Sequence, residues 1–451
     1  MDIKQIYEEV ISLLASGNYQ NLRALLNEME PYDLALLCEE LSEAQLPIVF
    51  RLIAKDTAAE CFSEMSSDLQ ELLIRRMSDA ELKAVLDEMF IDDTVDIIEE
   101  MPANVATRIL ANSDPTSRAQ INAILKYPKD SAGSIMTVEY VRLDRNMSVA
   151  DAFTRIRRVG MEKETIYTCY VTESDRKLVG VVTAMDLLLN ETDTLISEIM
   201  ETNVISATTD EDRESVVKKF SDYNFLALPV VDKGERLVGI VTVDDAIDVA
   251  VEEATEDVEL MAAITPSDKP YLKTGVFETW LNRIPWLMLL MLSATFTGAI
   301  ISHYESALEN LVILTAFIPM LMGTAGNAGG QTSVTIIRAL SLGDVEPRDI
   351  LRILWKELRV SFLCGVSLAF VGYFKAIWLD GADWLVALVV CITLMLTVIA
   401  AKVVGCCFPV LIKKIGFDPA VVASPFITTV VDALALVVYF AVATAMIAEL
   451  R

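Results

Sequence analysis

The stretch from Pro419 to Phe440, PAVVASPFITTVVDALALVVYF, places one carboxylate, Asp432, inside an apolar run that continues to Ala448. A bilayer core needs about 20 apolar residues in helical form, so this run is long enough to span. An ionisable group at that depth costs about 2.5 kcal/mol or more unless it faces a bundle interior or water. Asp432 is therefore expected to line a place that a cation visits. The plainer alternative is a protonated or hydrogen-bonded aspartate that ties helices together. Thr428 and Asp432, four residues apart, share a helix face and would supply further oxygen there. Pro419 and Pro425 are expected to leave backbone carbonyls without helical donors, which is tolerated at membrane depth only around a cavity.

The whole chain combines a mean hydropathy of +0.43 with a formal charge of -28, and the two properties are segregated. Residues 1–274 hold 53 acidic and 26 basic residues, whereas 275–451 hold 12 and 11. A soluble, strongly acidic front thus precedes a nearly neutral, membrane-embedded back. Such a front repels nucleic acid and anionic headgroups and attracts cations, which argues against a nucleic-acid partner. The N-terminus, MDIKQIYEEV, shows no basic region ahead of an apolar core, so the front is expected to stay in the cytoplasm. The cysteines, Cys38, Cys61, Cys169, Cys364, Cys391, Cys406 and Cys407, lack CxxC spacing and are expected to be reduced and buried. With His303 the single histidine, hard oxygen ligands dominate over soft ones.

Met65, Met77, Met89 and Met101 recur every 12 residues, and each unit, such as SDAELKAVLDEM, reads as one short amphipathic helix. Stacked pairs predict an α-superhelical N domain over residues 1–130, with the methionines in its core. Pro128 and Gly133 mark a boundary. Beyond it, Ser134-Ile135-Met136 parallels Glu198-Ile199-Met200, and LVGVVTAMD (178–186) parallels LVGIVTVDD (237–245). In each copy a helix is expected first, then a strand (YTCYVTE; ALPVVDK), a turn, a second strand and a helix begun by threonine. This tandem α/β repeat resembles a pair of CBS domains, over 131–196 and 197–250. The resemblance implies that the Thr and Asp of G-h-h-T-x-x-D, here Thr183 and Asp186 or Thr242 and Asp245, hold an adenine nucleotide such as ATP. Read from the residues alone, both threonines serve equally well as helix N-caps with an Asp in the first turn.

A long helix is expected next, Val243 to Ile264, in a connecting segment reaching residue 275. Ile247, Val251, Ala254, Val258 and Met261 form one stripe along it, while Asp245, Asp248, Glu252, Glu256 and Glu259 form another. Like charges four residues apart destabilise a helix, so the acidic row is either solvated or awaits counter-cations. Residues 276–451 are expected to form a five-helix transmembrane domain with spans near 285–302, 311–340, 360–378, 384–412 and 419–448. Arg348, Arg352, Lys356 and Arg359 fall between the second and third spans, and Lys413 and Lys414 between the fourth and fifth. The positive-inside rule makes those loops cytoplasmic, with the N-terminus inside and the C-terminus outside. The second span is expected to be interrupted at PMLMGTAGNAGGQTS (319–333), whose glycines, Asn327 and Gln331 suit either a polar pore mouth or close helix contact.

In this order, the acidic helical repeat, the CBS pair, the acidic connecting helix and five spans bearing PMLMGTAGNAGGQ and PAVVASPFITTVVD resemble the MgtE family of magnesium channels over essentially the whole chain. The resemblance implies a homodimer in a bacterial-type plasma membrane, with a Mg²⁺ pore at the dimer interface and no enzymatic activity. Asp432, Thr428, Asn327 and Gln331 would serve the ion. It further implies that cytosolic Mg²⁺ closes the pore by bridging acids of the helical domain (Glu60, Asp92, Asp96), the CBS pair (Asp212, Asp245, Asp248) and the connecting "plug" helix (Glu256, Asp257). Two positions depart from the pattern: Asn224 stands where an acid is expected, and Met185 precedes Asp186 where a basic residue could touch phosphate. A membrane-tethered nucleotide or divalent-ion sensor without transport is the alternative reading. An intramembrane hydrolase would need a second membrane carboxylate beside Asp432, and only Glu305 and Glu357, near span ends, offer one.

Overall fold

A computed structural model of the chain describes residues 3–267, 271–272, 274–305, 312–422 and 424–447. The expected limits at residues 1, 311, 448 and 451 lie outside these. The chain divides into two compact units, Met1–Ala250 and Val251–Arg451.

In the first unit the 12-residue period becomes geometry. Helices Ser67–Arg76, Asp79–Leu86, Ile91–Glu100 and Ala103–Asn112 begin 12 residues apart. Met65, Met77, Met89 and Met101 each sit two residues before a helix start, and all four are buried in the core. The helices are short because each is closed by its own sequence. At Ser78 a reciprocal cap forms, the hydroxyl accepting from the Glu81 N–H at 3.3 Å while Glu81 accepts from the Ser78 N–H at 2.8 Å. The seven cysteines are free, five of them buried.

Two three-stranded sheets follow. The first holds Tyr140–Asp144, Thr165–Thr172 and Leu178–Thr183; the second holds Ala207–Thr208, Ala227–Val231 and Leu237–Thr242. In both, the first strand runs parallel to the second and the second antiparallel to the third. The leading strands, Tyr140–Asp144 and Ala207–Thr208, are additions to the expected elements; both are short, five and two residues, although Val141 and Leu143 of the first alternate with more exposed neighbours. The repeated Ile-Met lead-ins are exchanged between the two repeats. A Cβ on Gly239, in the second repeat, would stand 2.6 Å from Met136 Sδ, and one on Gly180, in the first, 2.8 Å from Met200 Sδ. Only glycine admits these thioethers so close to the strand.

The connecting helix, Val243–Met261, ends three residues sooner than expected. The second unit then contributes five helices long and apolar enough to cross a membrane: Val276–His303, Val312–Ser341, Pro347–Leu379, Trp384–Ile415 and Pro425–Met446. Four expectations are corrected. The first span begins at Val276 rather than 285 and carries Pro285 inside it. Helix Ile318–Ser341 runs unbroken through all its glycines; neighbouring helices press against Gly326 and Gly329 and stabilise what lone glycines would weaken. The third span starts at Pro347, thirteen residues early, with its α-helix from Ile350, so Arg352, Lys356 and Arg359 lie on a helix rather than in a loop; Arg and Lys favour helix as well as Leu does, and Pro347 sets the start. Pro419 opens a 3₁₀ turn and Pro425 the fifth span's first helical turn, where a missing N–H costs nothing, so neither frees a carbonyl at mid-membrane.

Candidate ion site and acidic cluster

In the membrane unit Asp432 lies on the fifth helix, half-buried, with Oδ1 enclosed and without a hydrogen-bond partner among the described residues. Its neighbour across the helix interface is Gly326 of the second span. A Cβ at Gly326 would lie 3.3 Å from Asp432 Oδ1 and 2.9 Å from Thr428 Cγ2, so glycine is what lets the second span approach the carboxylate. Thr428 and Asp432 therefore share one face, as expected. Asn327 and Gln331 do not enter this interface. They lie exposed one helical turn apart on the second span, next to Gly326 and Gly330, which are buried.

A second polar cluster in this unit was not found from the sequence. Lys402 is buried in the middle of the fourth helix, and its Nζ lies 3.5 Å from Glu357 Oε2 on the third. Thr332 of the second span links them, accepting from Lys402 at 3.3 Å and donating to Glu357 at 3.3 Å. The available signal was a lysine inside the apolar run IAAKVVG, which burial permits only when paired.

In the first unit, acids crowd around the start of helix Ile91–Glu100. Asp92 and Asp93 occupy its first turn, where the helix N-terminus favours negative charge. Glu139 anchors that end by accepting from the Ile91 N–H at 3.0 Å. Asp92 is buried and its Oδ1 has no partner among the described residues. Burial, then the charges of Asp245, Asp93, Glu164 and Glu139, hold its carboxyl well above the usual range. For the same reasons, burial first and Asp245 next, Asp93 is pushed up to about 7 and Glu164 to about 8. Burial also raises Asp245 to about 6, against a lowering hydrogen bond from the Thr242 hydroxyl. Asp96 is raised as well, by desolvation first and by Asp245 next, while its side chain remains exposed.

Of the acids expected here, Asp92, Asp96 and Asp245 thus come together, and Asp248 joins them through Glu64. Burial and the charges of Asp248 and Asp244 raise the Glu64 carboxyl. Glu60, the expected residue of that helix, lies exposed one turn earlier. Asp93, Glu139, Glu164, Glu64 and Asp244 were missed, since nothing in their local spacing separates them from solvated acids. Asp212 caps helix Arg213–Tyr223, accepting from the Glu214 N–H at 2.9 Å. Asn224 closes the same helix in the left-handed region, φ 54°, a conformation that suits an amide. Thr183 and Asp186 form a reciprocal cap, and Thr242 donates to Asp245 at 2.5 Å. Among the described residues no three His, Cys, Asp or Glu side chains converge as a ready-made metal site. The crowded acids, with the orphaned Asp92 oxygen, fit an ion that keeps its water shell rather than a stripped one.

In the second unit, Asp257 of the connecting helix meets the lower ends of the spans. Its carboxylate lies 3.4 Å from the Ser341 hydroxyl. Burial and Asp418 raise it, while Ser341, Arg338 and Lys413 pull it down. Leu260 packs with Ile337 and Ala420 beside it. Glu256, one residue away, is half-buried.

These features define a multi-pass membrane protein with a carboxylate left without a hydrogen-bond partner among its spans and an acid-crowded first unit of helical repeats and paired CBS folds. The intracellular N domain of MgtE matches residues 8–130, the CBS domain matches 132–191 and 196–252, and MgtE, described as a divalent cation transporter, matches 318–442. The magnesium transporter MgtE of Thermus thermophilus is 37% identical over 95% of this chain and 96% of its own length. That of Bacillus subtilis is 33% identical over 100% and 99%. A crystal structure of the cytosolic domain of the Mg²⁺ channel MgtE in complex with ATP, 36% identical, superimposes with a TM-score of 0.52 over 54% of this chain and 99% of that one. The soluble part of a magnesium transporter, 29% identical, gives 0.53 over 56% and 100%. The chain belongs to the MgtE family of divalent cation transporters.

Proposed function

We propose that this protein carries Mg²⁺ across the membrane and closes when cytosolic Mg²⁺ is plentiful. The observation that carries the reading is the orphaned Asp432 oxygen, held against Gly326 at the heart of the spans. Mg²⁺ sheds water reluctantly, so a route suited to it holds the hydrated ion through a few carboxylates. Asp432 and Thr428 supply such oxygens, and Asn327 and Gln331 supply amide oxygens on the exposed face of the second span. A second copy of the chain would cover that face and complete the route. Exposed Ile247, Val251 and Val258 on the connecting helix, an apolar stripe facing solvent in one chain, favour the same homodimer. The names of the Thermus and Bacillus relatives support magnesium as the ion.

Closure follows from charge. Asp92, Asp93, Glu164 and Asp245 repel one another as anions, and divalent ions reverse the sign of that energy. When the ion is scarce the cluster loosens, and in this reading the change reaches the spans through the connecting helix, whose Asp257 lies beside Ser341. Thr183, Asp186 and Thr242 would take an adenine nucleotide by analogy with the ATP-bound relative, at the cost of opening their caps. The test is Mg²⁺ entry into liposomes containing the full chain. Entry above that of protein-free liposomes supports transport; none, with intact Mg²⁺ binding to the soluble unit, would favour a tethered sensor.

A further inference from the structure

Three charged side chains lie deep between the spanning helices among the described residues: Glu357, Lys402 and Asp432. Two of them cancel. Lys402 is 7% exposed, and its ammonium reaches both Glu357 and the Thr332 hydroxyl that Glu357 also engages. A carboxylate beside a threonine hydroxyl is the same pair of oxygens that Asp432 and Thr428 present one level up the bundle. The difference is that one pair already holds a cation, covalently tethered. Thr332 lies six residues below Gly326 on the second span, about 9 Å along the axis at 1.5 Å per residue.

We infer that Lys402 is a tethered internal cation that occupies the Glu357–Thr332 site, so that from each chain a permeating ion meets one uncompensated carboxylate, Asp432. The pair sets how tightly the route holds its ion. A second full carboxylate further along the bundle would give a divalent ion two stops and slow its exit, since conduction needs binding weak enough to leave. Conversely, an ammonium left without Glu357 would repel the ion at Asp432 through a poorly screened interior. The inference rests on the reading of Asp432 as the ion's site, and it makes Lys402 and Glu357 determinants of affinity rather than ligands of the ion.

The two halves of the pair should therefore act in opposite directions, which a merely structural ion pair would not do. In liposomes with the full-length protein, E357Q is expected to raise the Mg²⁺ concentration for half-maximal entry on the order of ten-fold. K402M is expected to lower it and to lower the maximal rate as well. Combining K402M with E357Q is expected to bring the half-maximal concentration back toward that of the unmodified protein. Shifts of both single variants in the same direction, or a double variant worse than either, would overturn the inference. Should K402M fail to fold, E357Q against the double variant still decides, because an unchanged or lowered half-maximal concentration in E357Q is equally fatal. D432A serves as the control: if it conducts like the unmodified protein the Asp432 reading itself fails, whereas its silence alongside same-direction shifts condemns only the role of the pair.

Discussion

Gly326 and Asp432 face each other across the second and fifth spans so closely that a methyl group on the glycine would stand 3.3 Å from the carboxylate oxygen. The same methyl would stand 2.9 Å from Thr428 Cγ2, closer than real Cβ atoms come to their neighbours. G326A must therefore shift the fifth helix or turn the Thr428 side chain, and it presses on the Asp432 carboxylate as well. Reduced Mg²⁺ entry of several-fold or more is expected, with full membrane insertion. Undiminished entry would show that the carboxylate's seat against the second span is immaterial.

After burial, the charge of Asp245 is what most raises the buried Asp92, and it acts in the same way on Asp93 and Glu164. Converting Asp92 and Asp245 to asparagine removes the repulsion that divalent ions offset and the charges that attract them. Two amides still offer oxygen, but without charge they bind Mg²⁺ far more weakly. The Mg²⁺ concentration that closes the route, read by patch recording with the cytosolic face perfused, is expected to rise. A superimposable closing curve would dismiss this cluster as the sensor.

The crowding also sets a pH dependence whose sign is fixed. Asp93 at about 7, Glu164 at about 8 and Asp245 at about 6 bind protons more tightly in this arrangement than the ordinary carboxylate near 4. Their protonation thus favours the arrangement fully below about pH 4, and that contribution is lost as pH rises through 6 to 8. In Mg²⁺-free buffer the thermal unfolding midpoint of the soluble unit within the full chain is expected to fall across that window. Added Mg²⁺ should restore it at pH 8, where the acids are charged, more than at pH 5. A midpoint flat from pH 5 to 8.5 without Mg²⁺ would contradict the crowding.

Much of this architecture was legible because local periodicity and global packing agree. Met65, Met77, Met89 and Met101 announced both the helix spacing and the core, since one residue type served both. The paired LVGVVT and LVGIVT stretches announced two sheets, but not that Met136 and Met200 would be exchanged onto Gly239 and Gly180, because an exchange leaves no mark in a repeat. Hydropathy located the five spans yet misjudged the third, where Arg352, Lys356 and Arg359 extend a helix that apolarity alone would have ended. The glycines of the second span were read as a break because their neighbours, Thr428, Asp432, Ala401 and Gly405, come from remote segments. Lys402 shows the same limit: its partners lie 45 and 70 residues away, and only folding brings them together.

In the proposed function a charged oxygen at position 432 carries the ion through the membrane. Mg²⁺ entry into liposomes, compared between the unmodified chain, D432A and D432N at matched protein content, addresses this most directly. Near-complete loss of entry in D432A, and a large loss in the isosteric D432N, is the predicted result. Entry in D432N equal to that of the unmodified chain would show that the negative charge is dispensable and that Asp432 is not the ion's ligand.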